Sequence, residues 1–118
     1  MSSSPSEDRR AHAEFHARES ATGIGAAVVR AVIAGGQHVW ECIVTDGQEW
    51  HYVRVLGVDL PPFPNISVEQ VEEGIARFAA TLPAPQRLRH LLNANPLYID
   101  AHGTVSDWVR AAAPSAGG

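Results

Sequence analysis

Between residues 26 and 56 the chain runs in three blocks dense in β-branched and aromatic residues: Ala26–Ile33 (AAVVRAVI), His38–Thr45 (HVWECIVT) and Trp50–Leu56 (WHYVRVL). Gly35-Gly36 separates the first two and Asp46-Gly47 the last two, and such pairs are the strongest short signals for tight hairpins. The pattern predicts a three-stranded antiparallel meander. Leu60-Pro61-Pro62-Phe63-Pro64 then leaves the sheet as an extended crossing, because proline has no N–H to give to a ladder.

Past the prolines the period changes. Val68, Val71, Ile75, Phe78 and Leu82 recur at helical spacing and form one apolar stripe. Ser67 and Gln70 have the spacing of a capping box, and Ile66 and Val71 take the two positions of a hydrophobic staple. Glu69, Glu72, Glu73 and Arg77 are expected on the solvent side, with Glu73 and Arg77 a favourable i,i+4 pair. Pro83 ends this 67–82 helix. A shorter helix starts near Pro85, turns Leu88, Leu91 and Leu92 inward and stops at Asn95-Pro96. Leu97–Ala101 (LYIDA) is a candidate fourth strand, and Thr104–Asp107 is expected to open a last helical turn carrying Trp108 and Val109.

Residues 7–20 fit two patterns, since Ala13, Phe15 and Ala17 alternate with Glu14, His16 and Arg18 as they would in a strand. Helix is expected, because Ala, Glu and Arg are strong helix formers and no β-branched residue intervenes. Segregated strands and helices mean an α+β fold. The expectation is a three- or four-stranded antiparallel sheet with an N-terminal helix and two C-terminal helices packed on one face. Residues 7–110 would form a single domain, with Ser-rich residues 1–6 and the AAAPSAGG stretch 111–118 as flexible tails. The core is expected to hold Val29, Trp40, Val44, Val53, Val55, Val71, Ile75, Phe78, Leu88 and Leu91.

Composition narrows the chemistry. In 118 residues there are 9 basic and 13 acidic side chains, for a net charge of −4. That balance argues against nucleic acid or an anionic membrane as partner. The helix–three strands–helix order resembles double-stranded RNA-binding domains, but those need basic residues where this helix opens on Glu69, Glu72 and Glu73. Every basic residue is Arg, so a lysine Schiff base or a P-loop lysine is impossible. Cys42 alone allows neither an intrachain disulfide nor a Cys-rich zinc site. No signal-type apolar region opens the chain and no apolar run reaches the roughly 18 residues a span needs, so a cytoplasmic location is expected. Abundant Ala and Arg without Lys suggests GC-rich, bacterial coding.

His12 and His16 are spaced i,i+4, but HAEFH is not the HEXXH metal motif, and His38, His51, His90 and His102 have no sequence relation to them. Gly23-Ile24-Gly25 lacks the third glycine and the following helix of a phosphate loop. Neither a metal nor a cofactor is expected.

Hairpin arithmetic supplies the remaining candidates. With a two-residue turn at Asp46-Gly47, Thr45 pairs with Gln48, Ile43 with Trp50, Cys42 with His51, and Glu41 with Tyr52. A thiol opposite an imidazole is the minimum for an activated nucleophile. A bulged turn would instead set His51 opposite Glu41. These three residues are weak catalytic candidates, since Cys42 shares its face with Trp40, Val44, Val53 and Val55 and reads as core. The other face carries Arg30, Glu41, Trp50, Tyr52 and Arg54 among Val28, Val32, Val39 and Ile43, with Arg30 opposite Glu41 if Gly35-Gly36 is a two-residue turn. Trp, Tyr and Arg are the residue types of interface hot spots. The expected function is therefore that of a small binding or accessory protein without catalysis. It would act through Arg30, Trp50, Tyr52 and Arg54, most simply as a homodimer or with another protein. The alternative is a small enzyme or isomerase using His51 with Cys42 or Glu41 in a pocket between sheet and helix.

Overall fold

The computed structural model describes residues 5–58 and 66–107. Helix α1 (Pro5–Glu19) leads into strands β1 (Gly25–Ala34), β2 (Gln37–Thr45) and β3 (Trp50–Gly57). Helix α2 (Val68–Ala79), a 3-10 turn (Ala84–Gln86), helix α3 (Arg87–Asn93) and strands β4 (Leu97–Ile99) and β5 (Val105–Ser106) follow. The fold is α+β, and residues 7–19 resolve their ambiguity as helix. That helix begins at Pro5, inside the stretch expected to be a tail; the rest of both tails, the Leu60–Pro64 crossing, Trp108 and Val109 lie outside the described residues.

Among the described residues the sheet has five strands in the order β1-β2-β3-β4-β5 and is mixed. It is not the purely antiparallel sheet of three or four strands that the pattern suggests. β4 lies parallel to β3, with Leu97 beside Val55, because α2 and α3 carry the chain back before it pairs again. The expected last helical turn is instead β5, antiparallel to β4 with Val105 beside Ile99.

Both hairpins show why residues sit on the faces they do. Gly35 and Gly36 have φ of 61° and 79°, the positive values a two-residue type I′ turn demands. Arg30 accordingly lies opposite Glu41. The second hairpin is longer than two residues: Thr45 pairs with Trp50, Ile43 with Tyr52, Cys42 with Val53 and Glu41 with Arg54. The Asp46 carboxylate causes this by accepting the N–H groups of Gln48 and Glu49, both at 2.9 Å, which closes a four-residue loop. The register therefore moves by two, and an even shift keeps every side chain on its expected face. The Cys42–His51 and Glu41–His51 pairings do not form. In β1 a bulge between Val28 and Arg30 moves Val28 to the core side, opposite Cys42, and leaves Val29 43% exposed instead of buried.

The core joins one sheet face to α2 and α3. Trp40, Cys42, Val44, Val53 and Val55 meet Val71, Ile75, Leu88 and Leu91, with Phe78 partly buried at the margin. The capping box is present, Gln70 N–H donating to Ser67 Oγ and Ser67 N–H to Gln70 Oε1. Burying a residue such as Ile75 this way stabilises by about 1.5–3 kcal/mol.

Helix α1 does not join α2 and α3 on that face. Gly25 and Ala27 point to the opposite side of the sheet, and a β-carbon on Gly25 would collide with the Ala13 carbonyl oxygen and the Ala17 nitrogen. Small residues on both elements (Ala13 and Ala17 against Gly25 and Ala27) allow the helix to lie directly on the strand, and all four are buried. The outer face is thus half roofed by α1.

Candidate functional site

On the outer face the residues form cross-strand rows. Gly25, Thr45 and Trp50 make the first row, Ala27, Ile43 and Tyr52 the second, and Arg30, Glu41 and Arg54 the third. Helix α1 covers the β1 end of the first two rows. Its Arg10 reaches across to β3, placing the guanidinium carbon 4.7 Å from the centre of the Trp50 ring, a cation–π contact. Between helix and strand lies an open groove of about 380 Å3 lined by Arg10, Val29, Ile43, Trp50, His51 and Tyr52.

The four expected binding residues are all on this face. Arg30 donates to Glu41 at 3.3 Å, and Arg54 flanks Glu41 from the other strand. Tyr52 is 49% exposed. Partial desolvation raises its phenol above the ordinary range, and the Glu41 carboxylate adds to the effect. Behind this strand the Asn95 side chain stands in for a missing ladder: its Oδ1 accepts from Arg54 N–H at 3.0 Å and its Nδ2 donates to the Tyr52 carbonyl at 3.3 Å. That carboxamide fixes the backbone on which Tyr52 and Arg54 stand.

Of the weak catalytic candidates, Cys42 and His51 share a face without pairing directly, and Glu41 stands on the other face. Cys42 is completely buried, and burial, with the Glu72 and Glu41 carboxylates behind it, pushes its thiol far above the usual range. A thiol so held is protonated and cannot be a nucleophile at neutral pH. His51 lies opposite Val44 and pairs with Glu49 at 3.2 Å, while Glu41 belongs to the other face.

Three residues that matter were not legible as site residues. Arg10 and Asn95 reach the site only through tertiary placement. Glu72, expected on the solvent side, is 5% exposed. Its carboxylate takes Arg9 Nη2 and His12 Nε2, each at 2.8 Å, and the Val28 N–H at 2.9 Å. The signal available for this was the small-residue match of Ala13 and Ala17 with Gly25 and Ala27, which brings α1 onto the sheet and so across Glu72. Among the described residues no group of three or more His, Cys, Asp or Glu could hold a metal ion, and no helix is long and apolar enough to cross a membrane.

No protein-family model, curated protein or solved structure matches this chain.

Proposed function

We propose that this protein is a binding protein without chemistry of its own, and that the outer face of its sheet is the contact surface, in the simplest case for a second copy of the chain. The carrying observation is the placement of Trp50, Tyr52, Arg30 and Arg54 on one face with Val29 and Tyr52 still nearly half exposed beside α1. Apolar and aromatic area of this kind, rimmed by guanidinium groups, is the usual make-up of an interaction surface. Closed two-fold pairing is the commonest way for a small chain to cover such a face. The row Arg30–Glu41–Arg54 suits it, since one carboxylate between two guanidinium groups leaves a cation for a carboxylate across the seam.

Sedimentation velocity over a concentration series tests this. The wild type should form dimers, and Trp50→Ala with Arg54→Glu should sediment as a monomer of unchanged helix content. A wild type that stays monomeric at every concentration and brings down no partner would remove the reading.

A further inference from the structure

The reading of the outer face as a binding surface leaves open which group its groove receives, and the groove's charge narrows that choice. None of its described lining residues is a carboxylate, although the whole chain carries a net charge of −4. Among the strand residues of this face Arg30 and Arg54 stand with one acidic side chain, Glu41, which Arg30 already engages. Arg10 forms no ion pair among the described residues. A guanidinium laid over a ring keeps its N–H fork for a carboxylate lying in its own plane. Ile43, Val29 and the rings of Trp50 and Tyr52 supply flat apolar walls, and a groove of about 380 Å3 is of small-ligand size.

From these observations we propose that the groove between α1 and β3 takes a small aromatic carboxylate, its ring against Ile43 and Trp50 and its carboxylate on Arg10. This rests on the reading of the outer face as a binding surface and adds the chemistry of one part of it.

The probe is 1-naphthoate, titrated into the 15N-labelled full chain, with 1-naphthalenemethanol as the neutral counterpart. Saturable shifts are expected at the Trp50 indole N–H and at the amides of Ile43, Tyr52 and Arg10, with the alcohol at least tenfold weaker. Arg10→Gln should reduce naphthoate to the level of the alcohol while amides of α2 and β4 keep their positions. Equal binding of both probes would overturn the carboxylate inference and leave the face as an apolar binding surface. Shifts clustered elsewhere, or none with either probe, would also overturn it. The broader reading falls with it only if the chain is in addition monomeric and without a partner.

Discussion

The Glu72 Oε2 atom lies 2.9 Å from the backbone nitrogen of Val28, 44 residues earlier in the chain. A helix carboxylate thereby takes an N–H of the edge strand β1 next to its bulge, a group that would otherwise lack a ladder partner. Because Arg9 and His12 bind the same carboxylate, one side chain ties α1, α2 and β1 together.

Removing that carboxylate should loosen α1 ahead of the core. Glu72→Ala is expected to cost about 2–3 kcal/mol, the range for losing hydrogen bonds to a buried charge. Amide hydrogen exchange should quicken first across α1 and at Val28. Uniform loss of protection across α2 and β3 as well would mean that Glu72 is part of the global core and no local tie.

The thiol of Cys42 gives a pH dependence with a fixed sign. Its native pKa is raised by burial, so the native state keeps a proton that the unfolded chain releases above about pH 8.5. The unfolded state then binds fewer protons, and stability falls as pH rises, by about 1.4 kcal/mol per unit. The contribution is intact below that range and is lost progressively above it. Between pH 8 and 10 the wild type should lose about 2 kcal/mol more than Cys42→Ala in denaturant titrations. Parallel curves for the two proteins would show that the thiol titrates normally in the folded state.

Gly25 is required by the closeness of α1 and not by an unusual backbone angle. Gly25→Ala would set a methyl group against the Ala13 carbonyl, and backbone cannot swing aside as a side chain can. A loss of about 3 kcal/mol is expected, together with loss of the Arg10–Trp50 contact as a change in Trp50 fluorescence measured in a Trp40→Phe, Trp108→Phe background. A neutral substitution would place α1 farther from the sheet than its packing indicates.

Much of this arrangement could be read from local sequence. The Val, Ile and aromatic runs marked all three hairpin strands, Gly35-Gly36 named its turn, and Ser67 with Gln70 marked the start of α2. Alternation also placed Trp50, Tyr52 and Arg54 together on one face, although the loop at Asp46 is two residues longer than expected. What could not be read depends on contacts between distant segments. The bulge that exchanges Val28 for Val29 answers to Glu72 and α1, and the side of the sheet that α1 covers is decided by Gly25 and Ala27. Strand β4 lies inside the Leu97–Ala101 run that reads as a fourth strand, but its parallel direction follows from the path through α2 and α3, and β5, with two residues, is too short for a periodic signal.

The outer face as a contact surface is tested most directly by mapping amide shifts of the full chain across a dilution series. The account predicts concentration-dependent shifts confined to Arg30, Glu41, Ile43, Trp50, Tyr52, Arg54 and their neighbours, abolished by Trp50→Ala with Arg54→Glu. Shifts centred on the exposed side of α2 or α3, or a spectrum unchanged by concentration in a chain that captures no partner, would contradict it.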